Sequence, residues 1–346
     1  MNKQVYIIIL NWNNWQDTIE CLESVFRQEF NNYKVIVCDN ASSDHSLEHI
    51  KAWADGKQAA CIPTIHPLSR LSSPAILKPL PYTLLSRQQS ENYHTHSIPS
   101  NDLILIQTGD NLGFAGGNNV GLRFALQCND MQYVWLLNND TVVEPDCLSN
   151  MLHYSKSFSQ KNICGNTILY YNNPTIIQAL GGCHYNKWTG LASTSLGRGL
   201  KLGDVIDHPS YEKQLSYISG ASWLLPKNFL LDIGLMDESY FLYCEEIDWC
   251  IRNNHQYKLC YAANAIVYHK EGSSIGSPND ERESSLLSDF YIFRNKLRFT
   301  RKYFPEAIVS TYAISFIQAF NRARRGQWDK ALLILKVLMG KQRYET

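Results

Sequence analysis

Short apolar runs alternate with helix-patterned segments along the first part of the chain. Four runs rich in β-branched residues are predicted strands: residues 5–10, 34–39, 103–107 and 133–137. Between the first two, apolar residues recur at the spacing of one helix face. A glycine-rich turn leads into a further predicted helix over 118–128. Strands separated by helices predict a mainly parallel sheet, whose ligands gather beyond the carboxyl ends of the strands.

The pattern becomes mixed after residue 152. Further strands are predicted over residues 168–171, 215–225, 258–262 and 265–269, with a short helix from Pro226. A long helix from about residue 283 to 303 and two more apolar helical segments close the chain. We therefore expect an α/β domain over residues 1–275 and a helical region over 276–346.

The alternation stops between the second and third predicted strands. Residues 56–102 contain six of the twelve prolines, seven serines and only six charged residues. Prolines at this density oppose helices and central strands, so we expect a mobile surface insertion. The spacing of its histidines, His66, His94 and His96, fits no metal-ligand set.

Composition is that of a globular chain, with 346 residues, 45% hydrophobic and 18% charged. The 32 basic and 32 acidic residues cancel, so bulk charge gives no reason to expect nucleic acid as a partner. That balance conceals an asymmetry, because residues 294–346 hold 12 basic and 3 acidic residues, a net charge of +9.

Basic and apolar residues mix near the C-terminus: Arg322, Arg324, Arg325, Lys330 and Lys336 beside Trp328, Leu332, Leu333 and Leu335. This pattern predicts either a surface for anionic lipid headgroups or packing against the rest of the chain. No run has the roughly 20 apolar residues that span a bilayer. Ten cysteines without a Cys-x-x-Cys pair, and no signal peptide, predict reduced thiols and a cytoplasmic protein, with peripheral attachment to the inner face of the cytoplasmic membrane open.

Asparagines follow the first predicted strand, in the segment LNWNN at residues 10–14. No glycine precedes Gly56, which argues against a dinucleotide-binding domain and a P-loop. The second strand ends at Asp39, in DNASSD. A carboxylate there can accept hydrogen bonds from a nucleobase or a ribose hydroxyl, while helix capping alone would explain its polar neighbours.

Five glycines in residues 109–121 let the backbone approach a ligand closely, and the asparagines among them favour a sugar or ribose face. The candidate contacts are Asn111, Gly113, Gly117 and Asn118. The fourth strand ends in Asn138, Asn139 and Asp140. An acid just past a buried strand can hold Mg²⁺ or Mn²⁺ against a diphosphate, or cap the following turn.

In this order, LNWNN, DNASSD, NLGFAGGNNVG and LLNNDT resemble the family-two glycosyltransferases of the GT-A fold, in particular the rhamnosyltransferase-like branch of bacterial surface polysaccharide synthesis. SGASWLLPKNFLLDIGLMDESYFLYCEEIDWCIR, NAIVYHKEGSS and FYIFRNKLRFTRKYFP continue the resemblance to about residue 305. It implies an α/β GT-A fold, with a mainly parallel central sheet flanked by helices and a helical C-terminal extension. The implied activity is that of an inverting, metal-dependent hexosyltransferase.

The resemblance also implies roles in the donor site. Asp39 would contact the nucleobase, Asn11 would lie in the same site, and Arg294 would reach the diphosphate. Asn138, Asn139 and Asp140 stand where the family has its metal-binding Asp-x-Asp, with an asparagine in the first position. His269 matches the position that completes the metal or diphosphate site. We therefore expect Asp140 and His269 to be the metal ligands.

Acceptor roles follow in the same way. Residues 245–248, Glu-Glu-Ile-Asp, match the family's Glu-Asp-x-Asp, whose second acid removes the proton of the acceptor hydroxyl. That role falls to Glu246, which is one methylene longer, with Glu245 and Asp248 on the acceptor side. Trp223, after a Gly-Ala turn, is a candidate sugar platform or a core residue.

The implied partners are a nucleoside-diphosphate sugar carrying dTDP or UDP, with dTDP-rhamnose favoured, and a glycan acceptor on a polyprenyl diphosphate, in O-antigen or capsule-type synthesis. Two alternatives stay open. A nucleotide-sugar-binding protein without catalysis would explain the departures from the family's acidic motifs. A sugar-phosphate nucleotidylyltransferase should carry the glycine-rich loop that is missing here.

Overall fold

The structure is a computed structural model that describes residues 4–93, 101–157, 161–270 and 284–344. Its strands are β1 (Gln4–Asn11), β2 (Tyr33–Asp39), β3 (Tyr82–Ser86), β4 (Leu103–Gln107), β5 (Met131–Asn138), β6 (Thr141–Val143), β7 (Asn162–Tyr170), β8 (Asn173–Leu180), β9 (Gly182–Asn186), β10 (Leu191–Ser195), β11 (Tyr217–Ile218), β12 (Ser222–Pro226) and β13 (Lys258–His269). Its helices are α1 (Trp15–Val25), α2 (Ser46–Ala54), α3 (Arg87–Glu91), α4 (Gly113–Gln127), α5 (Cys147–Ser157), α6 (His208–Lys213), α7 (Lys227–Ile233), α8 (Glu245–Arg252), α9 (Leu286–Tyr303), α10 (Ile308–Arg324) and α11 (Trp328–Leu338).

A central sheet joins ten strands in the order β3-β4-β2-β1-β5-β12-β7-β13-β6, with β8 beside β7. The strands β1 to β5 run parallel, and so do β7 and β13, whereas β6, β8 and β12 pair antiparallel to their neighbours. A smaller sheet has the order β10-β9-β11. Helices α1, α2 and α5 share one apolar core with the sheet, and α4, α7 and α8 share another. The expected α/β fold with a mainly parallel sheet flanked by helices is confirmed.

The parallel strands bring their carboxyl ends to one edge. In register, Asn11 lies beside Asp39, and Leu10 lies beside Asn138. Helix α4 packs closely on these strands, because a β-carbon at Gly117 would lie 2.3 Å from a methyl carbon of Leu10. The register of the strands therefore positions these residues at one edge of the sheet. Helix α4 can approach β1 this closely because residue 117 is glycine.

The expected insertion is structured where it is described. Strand β3 extends the sheet edge beside β4, and Leu68 and Leu71 are buried against β7 and its neighbours. Pro79 and Pro81 precede β3 and do not interrupt it. The proline density argued against helices, so the short helix α3 corrects that part of the expectation, whereas β3 is an edge strand, which tolerates prolines at its approach. The mobility of the insertion stays a prediction. His94 and His96 lie outside the described residues.

Strand β13 is continuous, with an irregularity between Ala262 and Ile266 that the sequence suggested as a break between two strands. Helices α9, α10 and α11 form a separate apolar cluster that includes Phe290, Phe293 and Ile334. The expected helical C-terminal extension is confirmed. Within the described ranges, no helix has the length and apolar character to cross a membrane.

Candidate active site

A cavity of 420 Å³ opens where β1 and β5 end. Polar residues on its wall are Asn40, Asn111, Asn138, Asn139, Asp140 and His269, and aromatic residues are Trp12, Phe114, Phe241, Tyr243, Tyr291 and Tyr344. Amide, carboxylate and imidazole groups beside aromatic faces suit a ligand with both sugar and ring surfaces. Four of the predicted donor residues and both predicted metal ligands are thus brought together.

Asp140 and His269 meet because β13 pairs antiparallel with β6 and places His269 opposite Thr141. The Asp140 Oδ1 atom lies 3.1 Å from His269 Nε2. On the other side of the ring, Nδ1 lies 3.1 Å from Gln178 Oε1. An amide oxygen only accepts, so Nδ1 donates to Gln178 and the ring is oriented with Nε2 toward Asp140.

This pair fits a divalent ion. A carboxylate oxygen and an imidazole nitrogen 3.1 Å apart can be neighbouring ligands of one ion whose bonds are about 2.1 Å long. Across residues 4–93, 101–157, 161–270 and 284–344, no group of three or more His, Cys, Asp or Glu side chains is placed to hold a metal. At phosphate sites Mg²⁺ needs as few as one protein carboxylate, with the rest of its ligands from the phosphates and water, so a complete set of protein ligands is not required.

Asp39 and Asn11 lie beside the cavity and not on its wall. Asn11 Nδ2 donates to Asp39 Oδ1 at 2.9 Å, and Thr18 Oγ1 donates to the Asn11 amide oxygen at 2.6 Å. Ser42 Oγ also donates to Asp39 Oδ1, at 2.6 Å. Buried Asn11 therefore orients the carboxylate of Asp39, which corrects its prediction as a direct donor contact.

The glycine-rich segment divides into two parts. Asn111 and Gly113 reach the cavity wall, held there by Asn40, whose Nδ2 lies 3.1 Å from Asn111 Oδ1 and 3.2 Å from the Gly113 oxygen. Gly117 instead packs on β1, and Asn118 Nδ2 donates to the backbone oxygen of residue 114 at 3.0 Å. Gly117 is thus a packing residue on the sheet-facing side of α4, and buried Asn118 bonds the backbone of its own helix, so neither lies on the cavity wall where it was predicted.

Trp223 is a core residue. It lies on β12, between β5 and β7, with no exposed surface, and its ring packs edge-on against Trp249 at 5.3 Å between centres. A sugar cannot reach it, so the prediction of a sugar platform is wrong. Other aromatic side chains do line the cavity wall, among them Trp12 and Tyr243.

Asp248 also has a structural role. Four donors surround its buried carboxylate: Tyr240 Oη at 3.0 Å, Tyr303 Oη at 2.8 Å, Lys302 Nζ at 2.8 Å and Arg252 Nε at 2.7 Å. Two of these donors belong to α9, so Asp248 fastens α8 to α9. The prediction that it faces the acceptor is corrected by this full set of partners.

Glu245 and Glu246 begin α8, where the helix dipole favours carboxylates. Glu246 lies over Gly220, since a β-carbon there would come within 2.1 Å of Glu246 Oε1. The backbone oxygen of the next residue, Ala221, accepts a hydrogen bond from the backbone N–H of Asn138 at 3.0 Å. The segment beneath Glu246 is therefore bonded to the end of β5. Within the described chain, no side chain donates a hydrogen bond to Glu246, a residue that is half-buried.

Burial shapes the protonation of both acids. It raises the pKa of the Glu246 carboxyl above its ordinary value. Burial and the adjacent Glu246 charge hold the pKa of Glu245 well above its ordinary value, and among the residues that the structure describes none is a hydrogen-bond partner of Glu245 Oε2. A raised pKa moves a carboxylate toward the range in which it acts as a general base near neutral pH.

The loop before α8 is strained. Phe241, Tyr243 and Cys244 have φ angles of 64°, 65° and 74°, a region that non-glycine residues rarely adopt. Buried Asn295 on α9 holds this loop, with its Nδ2 at 2.8, 2.6 and 3.0 Å from the backbone oxygens of residues 240, 242 and 243. Strain held by surrounding contacts is typical of functional sites.

Arg294, the neighbour of Asn295, serves the same loop. Its guanidinium donates to the backbone oxygens of Ser239 and Tyr240 at 3.0 and 2.8 Å. These two bonds use Nη2 of the guanidinium, and Nε donates to Asn295 Oδ1 at 2.8 Å, so Arg294 holds the loop; that it also reaches the diphosphate stays a prediction. The Arg-Asn segment on α9 is a support for the loop that leads to the acids.

Sequence reasoning missed Asn40 and most of the aromatic wall. Trp12 and Tyr291 lie inside the motif segments LNWNN and FYIFRN, and this location could have indicated that they are near the site. No sequence signal could have indicated Tyr344, because it is 53 positions from Tyr291 and reaches the cavity through the packing of the C-terminal helices.

Comparisons with known proteins agree with the motifs. The family model described as "Glycosyl transferase family 2" matches residues 6–65. The low-salt glycan biosynthesis hexosyltransferase Agl10 of Haloferax volcanii is 24% identical over 214 residues, which cover 60% of this chain and 63% of that protein. The matched part thus spans less than two thirds of that relative.

Two solved structures are similar over nearly the whole chain. Residues 1–349 of TarS from S. aureus align with a TM-score of 0.48 at 12% identity, covering 97% of this chain and 81% of that one. A mannosyltransferase from Pyrobaculum calidifontis, in complex with GDP-Man and Mn²⁺, aligns with a TM-score of 0.49 at 12% identity, covering 96% and 78%. The family match and the hexosyltransferase relative confirm the resemblance to family-two glycosyltransferases, and the rhamnosyltransferase branch stays a prediction.

Proposed function

We propose that this protein is an inverting glycosyltransferase that moves a hexosyl group from a nucleoside diphosphate to a glycan hydroxyl. The observation that carries the proposal is the cavity at the ends of β1 and β5, where Asp140 and His269 meet beside a row of asparagines. The family-two match over residues 6–65 and the printed name of the hexosyltransferase relative support it.

The donor would be bound by its two ends. Asp39, whose carboxylate is oriented by Asn11 and Ser42, would accept from the nucleobase or the ribose. Asn111 and Asn138 offer amides to the sugar and the phosphates along the same wall. Asp140 and His269 would hold Mg²⁺ or Mn²⁺, which when bound would neutralise the charge that develops on the leaving diphosphate.

The acceptor would be activated by Glu246. Its carboxylate takes the proton of the acceptor hydroxyl as that oxygen bonds to the anomeric carbon, while the bond from that carbon to the diphosphate oxygen breaks. The products are the glycoside with inverted configuration and the nucleoside diphosphate. Gly220 leaves the space in which the carboxylate lies, and the raised pKa of Glu246 suits a base.

The finer identity of the substrates rests on the resemblance alone. It favours dTDP-rhamnose as donor, with UDP-sugars next, and a polyprenyl-diphosphate-linked glycan as acceptor, at the inner face of the cytoplasmic membrane. The cavity itself contributes the aromatic surfaces that a sugar ring stacks on.

A two-stage experiment tests the proposal. Thermal unfolding is first followed with dTDP-, UDP- and GDP-sugars, each with and without Mn²⁺, because a ligand at 100 times its Kd stabilises by about 2.7 kcal/mol. Release of the nucleoside diphosphate is then measured with the donor that binds and a panel of glycan acceptors. Donor binding with no release on any acceptor would favour the non-catalytic binding protein, and no stabilisation by any donor would contradict the proposal.

A further inference from the structure

Helix α10 turns large apolar side chains toward solvent. Phe316, Ile317 and Phe320 are 52%, 58% and 63% exposed, while Ser315 and Ala319 of the same helix are buried. The three exposed residues lie at positions that share one helix face. Small residues inward and aromatic residues outward reverse the usual arrangement of a surface helix, and exposed apolar patches of this kind mark interaction sites.

The charge beside this face is positive. Residues 307–328 contain no acid, and three arginines lie at the end of α10. Arg322 turns inward to buried Asp289 at 3.0 Å, so it leaves the predicted basic surface. Arg324 and Arg325 are exposed, and the Arg324 guanidinium lies 6.0 Å from the ring centre of Phe320. Arginines therefore border the apolar face directly.

The start of α11 continues the same character. Trp328, 64% exposed, and Leu332, 52% exposed, are four positions apart on the helix. Leu333 and Leu335, which the sequence placed in the same surface, instead pack against the core of the three helices. Of the apolar residues predicted for this surface, Trp328 and Leu332 are therefore exposed to solvent, and Leu333 and Leu335 are not.

We propose that the exposed face of α10, defined as Phe316, Ile317 and Phe320 with Arg324 and Arg325, docks on an anionic lipid bilayer. Aromatic and aliphatic side chains enter the boundary between headgroups and acyl chains, while arginines pair with anionic headgroups. The absence of acids from residues 307–328 matches that negative partner. The inference deepens the proposed function, on which it rests only for the expectation of a membrane-bound acceptor.

The position of this face within the molecule agrees with the proposal. The helical unit that carries it also contributes Tyr291 of α9 and Tyr344 to the cavity wall. The three C-terminal helices would therefore both dock on the bilayer and complete the wall of the cavity at which a lipid-linked acceptor reacts.

Vesicle flotation with the full chain tests the inference without any donor or acceptor. Vesicles of phosphatidylcholine alone are compared with vesicles containing 30% phosphatidylglycerol, at low and high salt. We expect binding to the anionic vesicles that weakens with salt. The variant Phe316→Ser/Ile317→Ser/Phe320→Ser should lower the partition coefficient by roughly 100-fold, and Arg324→Gln/Arg325→Gln by about tenfold.

The matched control replaces three exposed apolar residues elsewhere, Leu77→Ser/Val205→Ser/Leu231→Ser, and should float like the wild type. The substituted side chains are exposed in both triple variants, so each should keep its melting temperature. No flotation of the wild type, or equal flotation of the two triple variants, would overturn the proposal. A wild-type dimer in solution that the α10 variant dissociates, without flotation, would also overturn it in favour of a second copy of the chain. None of these results bears on donor binding, which the thermal unfolding experiment measures separately.

Discussion

The loop that precedes α8 offers the sharpest test of how the C-terminal helices serve the site. Replacing Asn295 by alanine removes an amide that lies within 3.0 Å of three backbone oxygens and has no exposed surface. The two amide protons serve these oxygens, and the amide oxygen accepts from Arg294 Nε at 2.8 Å, so about three hydrogen bonds are lost and at least one buried carbonyl is left unpaired. The expected loss of stability is roughly 2–4 kcal/mol.

The functional effect should exceed the thermal one. In a chain of this size, that loss lowers the melting temperature by about 3–6 °C. Without Asn295, the left-handed residues of the loop can relax, and Glu246 at the start of α8 moves with them. A shift of about 1 Å can cost roughly 100-fold in rate, so we expect kcat to fall 10- to 100-fold while the Kd for the donor is unchanged. Asn295→Asp keeps the side-chain size but removes the donor, and should be no better than alanine.

Asn253→Ala is a matched control. Asn253 is also buried, its amide bonds both backbone groups of Tyr257 at 2.6 and 2.8 Å, and the turn that it holds has φ angles of 44° and 60° at residues 254 and 255. The assay compares melting temperature and nucleoside diphosphate release for both variants. Similar thermal losses with a rate loss only in the Asn295 variants are expected. Equal rate losses, or full activity in Asn295→Ala, would refute the assignment of Asn295 as a positioning residue.

Three further predictions concern the acids of α8. Glu246→Gln should lower turnover by roughly 10²- to 10⁴-fold and leave donor binding intact. In the wild type, turnover should rise with pH through the raised pKa of Glu246. A turnover that does not change across the acid range would contradict a role of Glu246 as base. Gly220→Ala should displace the Glu246 carboxylate, because the added methyl would lie 2.1 Å from Oε1, and should lower kcat with little change in donor Kd, as release and binding assays can show. Glu245→Gln should raise the melting temperature, increasingly as pH rises above the ordinary glutamate pKa: the folded-state pKa is raised, so the wild type loses stability as that carboxyl ionises, and the amide does not. A pH-independent difference between the two proteins would argue against this charge as the cause.

Local patterns were sufficient for the central parallel strands and the fold class, because β-branched runs and helical spacing are properties of neighbouring residues. Strand β4 was predicted to the residue, and the convergence of Asp39 with Asn138 through Asp140 follows from parallel strands ending at one edge. Edge strand β3 was missed, because proline counts do not distinguish the middle of a strand from its approach.

Contacts between distant segments could not be predicted in the same way. Trp223 is buried because β12 lies between β5 and β7, and a strand's own sequence does not state whether it is central. Asp248 does not face the acceptor side because its carboxylate accepts hydrogen bonds from Lys302 and Tyr303, which are more than 50 positions away. The pairing of Asp140 with His269, 129 positions apart, could be expected only from the family resemblance.

The central claim is that Asp140 and His269 anchor a metal-bridged nucleotide sugar in the cavity. Calorimetric titration of the donor, with and without Mn²⁺, into wild type, Asp140→Asn and Asp130→Asn tests it most directly. Asp130 lies just before the opposite end of β5, where it accepts from Tyr6, so its variant controls for loss of a carboxylate. We predict binding that requires Mn²⁺, survives in Asp130→Asn and weakens at least tenfold in Asp140→Asn. Equal donor affinity in wild type and Asp140→Asn, in the presence of Mn²⁺, would contradict the account.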